Sequence, residues 1–165
     1  MAKKGGGPNA PVNNLANNGV YVLMDEITMQ SCADCLKWIM NQNLAETRLP
    51  QLTIIINSPG GDVHAAFALI DTMKASTIPI KTVGLGLIAS CGFLIFIAGK
   101  KGSRILTPNT SILSHQYSWG SAGKEHELYA RVKEFELSTQ RMIEHYKKLS
   151  LIHISEPTRL CTISY

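Results

Sequence analysis

The sequence predicts an α/β fold with a largely parallel sheet, and three observations carry that reading. Short apolar runs rich in β-branched residues recur at Val20–Met24, Leu52–Ile56 and Ile80–Leu85. Segments of helical apolar spacing separate them, which gives the order strand, helix, strand, helix, strand of repeated right-handed βαβ units. The second and third runs lead into Asn57-Ser58-Pro59-Gly60-Gly61-Asp62 and into a turn at Ser90. Both turns therefore fall at carboxyl ends of strands, the edge of an open α/β sheet where ligands bind.

The elements follow in order. Residues 1–19 are rich in Gly, Asn, Pro and Ala and read as a flexible arm. After the first strand, a helix is expected from about Thr28, with Cys32, Cys35, Leu36, Ile39 and Met40 on one face and a break at Leu49-Pro50. A second helix carries Val63, Ala66, Phe67, Ile70 and Met73, and ends at Thr77-Ile78-Pro79. Short strands are expected at Arg104–Leu106 and Ser111–Ser114, the second delivering His115. From about Gly123 to Leu149, Leu128, Val132, Phe135, Thr139, Met142, Tyr146 and Leu149 step by three and four, which predicts one long amphipathic helix. Such a stripe needs a partner surface, on its own domain or on another copy. Leu151–Tyr165 breaks the pattern and resembles peptide read through from a sequencing-library adapter. It is read as non-native, with the native chain diverging after about Ser150.

Composition sets bounds. The 165 residues suffice for one domain with a core. The net charge is +4, but no basic stripe with interleaved aromatics is present, so nucleic acid is not indicated. Val83–Gly99 is slightly short for a membrane span and is interrupted by Ser90 and Cys91. The start MAKKGGGP has no apolar core of a secretory signal. Cys32 and Cys35 form a C-x-x-C without a second pair; they are read as packing residues, with no metal, and the thiols as cytosolic. His64, His126 and His145 are read as exposed.

Gly84–Gly99, GLGLIASCGFLIFIAG, holds one polar side chain that looks out of place, Ser90. It is expected at the first turn of a buried helix, where unpaired amides point outward. A serine so placed can attack a carbonyl while neighbouring amides hold the oxyanion. The pattern G-x-S-x-G is half met, by Gly92 but not by Ile88. The alternative is a buried serine satisfied by a backbone carbonyl.

The ordered set INSPGGDV at Ile56–Val63, ASCGFLIFIAGKKGSR at Ala89–Arg104 and LTPNTSILSHQ at Leu106–Gln116 resembles the proteolytic subunit of the Clp protease, over about Val20 to Ser150. The resemblance implies the fold that family shares with crotonases, repeated βαβ units with a long handle helix. It implies a serine endopeptidase that cleaves unfolded polypeptides, working with an AAA+ ATPase unfoldase as a cytoplasmic homo-oligomer of stacked heptameric rings, without a cofactor. Residue by residue, Ser90 matches the nucleophile and His115 the general base. Gly61 and Cys91 match the positions whose amides form the oxyanion hole. Gln116, Tyr117, Ser118, Trp119 and Gly120 match the start of the strand and glycine turn lining the substrate groove.

The chain departs from the family in three places. Cys91 stands where methionine is usual, Tyr117 and Trp119 differ from the usual stretch, and no aspartate follows His115 to orient it. Two other readings stand beside the peptidase: a non-catalytic Clp-like subunit that serves assembly, and a crotonase-like enzyme acting on acyl-CoA thioesters.

Overall fold

The computed structural model describes residues 15–114 and 122–150, the last two by backbone alone. Five strands form one parallel sheet: β1 (Val20–Leu23), β2 (Leu52–Ser58), β3 (Ile80–Ala89), β4 (Arg104–Leu106) and β5 (Ser111–Leu113). The order β1-β2-β3 continues to β4 along the first half of β3, and to β5 along its second half. The switch falls at Gly84, whose carbonyl accepts from Thr107 N at 3.1 Å and from Thr110 Oγ1 at 2.8 Å. Two short strands thus do the work of one, and β5 ends level with Ala89 through the pair Ala89↔Leu113.

β3 extends four residues beyond the expected Leu85. Gly86, exposed and at φ 63°, interrupts the burial alternation, but Asn57 Oδ1 accepts from Leu87 N at 3.3 Å and keeps the strand on course. Helix α1 (Met29–Leu44) is opened by a capping box between Thr28 and Ser31. It stops before the expected Leu49-Pro50, because Asn43 at its end is tied to the loop after the next helix. The Asn43 side chain accepts from Thr77 N at 2.9 Å and donates to Ser76 Oγ at 2.9 Å. Helix α2 (Val63–Ala75) is capped by Asp62, whose carboxylate accepts from His64 N and Ala65 N at 2.8 and 2.9 Å. At the end of the arm, Ala16 O accepts from Trp38 Nε1 and from Gln42 Nε2, each at 3.2 Å.

The core lies where α1, α2 and helix α3 (Cys91–Ile97) meet the sheet. Leu52, Ile54 and Ile56 of β2, Leu69 and Ile70 of α2, and Leu94, Ile95 and Phe96 of α3 are fully buried. Seven residues make too short a helix to persist alone. Burial holds α3, at about 2 kcal/mol for each large apolar side chain. Its C-terminal end is fixed by Thr82 Oγ1 donating to Phe96 O at 2.8 Å and by Arg104 Nε donating to Gly99 O at 2.7 Å. Cys32 and Cys35 are free, buried on the core side of α1, as read from their spacing. Among the described residues no helix is long and apolar enough to cross a membrane.

Among the described residues, helix α4 (Glu125–Ser150) packs on the core through its C-terminal half. Tyr146 stacks on Phe93 of α3 with ring centroids 5.8 Å apart, and its hydroxyl accepts from Ser114 Oγ at 3.4 Å. Met142 packs on the same core. Toward the other end Tyr129, Val132 and Leu137 are exposed. Val132 was expected on the covered stripe; the described residues offer it no cover.

His145 corrects the sequence reading. It is half-buried rather than exposed, edge-on to Phe67 of α2 at 5.9 Å, with Nε2 3.0 Å from Lys74 Nζ. Burial and the Lys74 and Lys148 charges lower its pKa, while Asp71 opposes them. The unfolded chain therefore takes up this proton at higher pH than the folded one. Stability is complete above the unfolded value of about 6.5 and falls as pH drops toward the depressed folded value. His145→Gln is expected to flatten that slope in denaturant titrations between pH 7 and 5.

Candidate active site

The site is built where β2 and β3 end side by side. Ser90 links β3 to α3 with φ 49° and ψ −120°, and it is the one non-glycine residue at positive φ among the described residues. Such a conformation costs on the order of 1–3 kcal/mol and persists only where its surroundings over-determine it. Ser90 N donates to Leu113 O at 2.8 Å, and Ser90 O accepts from Phe93 N at 3.0 Å and Leu94 N at 3.2 Å. The backbone is thus held from both sides. The side chain makes no cap hydrogen bond to the helix it opens.

The turn after β2 meets this elbow at Gly60. A Cβ on Gly60 would lie 2.7 Å from Ser90 Cβ and 3.0 Å from Ala89 O, and its φ is +99°. Gly61 has φ +144°, and a Cβ there would strike Ile27 O. Only glycine allows both the path and the approach. Ile27 closes the other side of the turn through an isolated parallel bridge to Gly61.

The backbone groups of this turn can be accounted for one by one. Gly60 N donates to Ser58 Oγ at 3.1 Å, and Gly60 O accepts from Ile27 N at 2.8 Å. Asp62 N donates to Ile27 O at 2.7 Å. Gly61 O accepts from the Cys91 thiol at 3.3 Å. Among the described residues no oxygen acceptor is found for Gly61 N or for Cys91 N, the first amide of α3. Gly61 is exposed and Ser90 half-buried, while Cys91 is buried. Burial pushes the Cys91 thiol up; the Ser90 side chain and the backbone N–H groups of Gly61 and Cys91 offset this in part, and the thiol keeps its proton near neutral pH.

Of the residues singled out from sequence, Ser90, Gly61 and Cys91 are therefore brought together. His115 and the groove residues Gln116, Tyr117, Ser118, Trp119 and Gly120 lie outside the described residues. The chain approaches His115 from Ser114, just past β5, whose last carbonyl holds Ser90 N. Two supports went unread. Ser58 sits inside a motif that drew attention to its glycines, and its spacing two residues before Gly60 was the available signal. Ile27 carried none, because its part is played by backbone alone.

Comparison with known proteins adds the lineage. A family model described as Clp protease matches residues 5–157. The chain belongs to the Clp protease family. It is 37% identical over 120 residues to the ATP-dependent Clp protease proteolytic subunit 1 of Corynebacterium jeikeium, covering 73% of this chain and 61% of that one. The corresponding subunit 2 of Corynebacterium diphtheriae is also 37% identical over 120 residues, covering 73% and 58%. Subunit 1 of Chlamydia caviae is 34% identical over 124 residues, covering 74% and 64%. The chain thus spans about three fifths of the length of these curated relatives.

Gly60→Ala is expected to be severely destabilising, because the added methyl meets Ser90 Cβ and backbone rather than a flexible side-chain end. Gly102→Ala, also at positive φ but with nothing within 4 Å, should cost only about 1 kcal/mol of conformational strain. Denaturant midpoints of the two variants, compared with the parent, check the difference.

Proposed function

We propose that this chain is the serine-peptidase subunit of an ATP-dependent Clp-type protease that cleaves unfolded polypeptides. The observation that carries the proposal is the strained Ser90 elbow meeting the Gly60–Gly61 turn, with Gly61 N and Cys91 N lacking an oxygen acceptor among the described residues. In this reading His115 takes the Ser90 proton, Ser90 Oγ attacks the peptide carbonyl, and the two amides hold the oxyanion. His115 then protonates the leaving amine, and water releases the acyl group. Gln116–Gly120 would line the groove for the extended substrate.

The names of the relatives support an ATPase partner, an AAA+ unfoldase that feeds the chamber in the cytoplasm. The exposed Tyr129, Val132 and Leu137 on α4 support a homo-oligomer, assembled as stacked heptameric rings with these helices interleaved. Family membership favours peptidase chemistry over the acyl-CoA alternative. A non-catalytic assembly subunit is the competing reading, and one observation favours it: all four aspartates precede Ser90, at Asp25, Asp34, Asp62 and Asp71. Glu156 is the single carboxylate side chain past residue 150, and nothing in the sequence aims it at His115.

Without an orienting carboxylate the imidazole can hold the wrong tautomer, at a cost of about 10⁴-fold in rate. The sequence as given is therefore expected to hydrolyse small peptides very weakly. A chain continued past Ser150 with a family-type segment carrying an aspartate should gain orders of magnitude, and Ser90→Ala in that chain should abolish turnover. Peptidase rates at equal concentration, with oligomeric state measured in each case, decide the matter. Turnover that survives Ser90→Ala would remove Ser90 from the chemistry.

A further inference from the structure

The Gly60–Gly61 turn is tied down by three side chains or strands, and one of those ties comes from the residue next to the nucleophile. Ser58 Oγ takes Gly60 N and Ile27 brackets the turn from outside, but both attach it to the β2 side of the site. Among the described residues only the Cys91 thiol, donating to Gly61 O at 3.3 Å, joins it by a hydrogen bond to the elbow side. We propose that the Cys91 side chain is a positioning residue in this chain, holding the Gly61 peptide at a fixed distance from Ser90 so that the Gly61 and Cys91 amides converge on one oxyanion.

The geometry supplies the reason such a tie has a consequence. Gly61 is exposed, and the two peptide planes that flank it are held from outside by Ile27, through Gly60 O and Asp62 N, so the thiol on Gly61 O holds the second plane from the elbow side. Cys91 is 2% exposed, and its backbone is fixed as the first residue of α3. A protonated thiol anchored in the core thus adds a second restraint to an exposed peptide. A thiol is a weak donor, so the effect should be modest but specific. Displacing an oxyanion donor by a fraction of an ångström is felt in the transition state and not in ground-state binding.

The proposal rests on the peptidase reading for its catalytic consequence but not for the tie itself, and two readouts separate them. The first is deuterium uptake across Asn57–His64 in the full chain. Cys91→Ala should exchange faster there than the parent, with uptake in β1 and α1 unchanged, and Cys91→Ser should restore much of the protection. The second is the rate at which a fluorophosphonate labels Ser90, where Ser90 Oγ bonds to phosphorus, fluoride leaves, and the hydroxyl proton passes to the base. Cys91→Ala and Cys91→Val should slow labelling about threefold to tenfold, the scale of one weak hydrogen bond, with little change in the reagent concentration for half-saturation. Cys91→Ser should recover most of that loss. Unchanged uptake over Asn57–His64 in Cys91→Ala would overturn the proposal, as would a Cys91→Ser variant no better than Cys91→Val in both readouts. Faster uptake in Cys91→Ala with no labelling of Ser90 in the chain continued past Ser150 with an aspartate-bearing segment, in which the labelling rates are compared, would uphold the tie and overturn the peptidase reading instead.

Discussion

The backbone of Ser90 is the constraint from which the site follows. A residue with φ 49° and ψ −120° cannot continue the strand before it or begin the helix after it by propensity. It turns the chain sharply between β3 and α3, and so lifts one hydroxyl out of two apolar elements. The strain, on the order of 1–3 kcal/mol, is small beside what the neighbours contribute. Leu94, Ile95, Phe96 and Ile97 are buried directly after the turn, each worth about 2 kcal/mol. Helix α3 can sit in that place only if the chain passes through the Ser90 conformation. The core thus stabilises the elbow, and the elbow exposes the reactive group.

A second consequence concerns the facing turn. With Ser90 Cβ occupying the junction, the carboxyl end of β2 must pass it without a side chain of its own, which is why Gly60 stands there. Once glycine is required, the turn would be loose if its polar groups were left to water. Ser58, Ile27 and Cys91 take up those groups in turn. Gly61 N and Cys91 N are left without an oxygen acceptor among the described residues, at the turn that meets the Ser90 elbow.

Much of this was legible in the sequence, for reasons that differ by element. The three main strands and two central helices announce themselves because each buries a continuous or periodic apolar face. Asn57–Asp62 and Ser90 stand out because glycine, proline and a lone hydroxyl interrupt apolar runs. What was not legible is what depends on contacts between distant segments. The early end of α1 follows from Asn43 meeting Ser76 and Thr77 across 33 and 34 residues. The burial of His145 follows from α4 lying against Phe67 and Lys74. The division of β3 between two short partners follows from Thr110 reaching Gly84. The contacts of Cys91 Sγ could not be read at all, because nothing in a string of residues tells which carbonyl a buried thiol meets.

The strain at Ser90 can be measured without any assay of activity. Ser90→Ala keeps the Cβ and therefore the unfavourable positive φ; Ser90→Gly removes it. Glycine costs about 0.5–1 kcal/mol relative to alanine at an ordinary position, through the entropy of the unfolded chain. Here relief of strain should outweigh that cost, so Ser90→Gly is expected to be more stable than Ser90→Ala by about 1 kcal/mol in equilibrium denaturation. If Ser90→Ala is instead the more stable of the two, the backbone at Ser90 is unstrained, and the elbow does not govern the site as described.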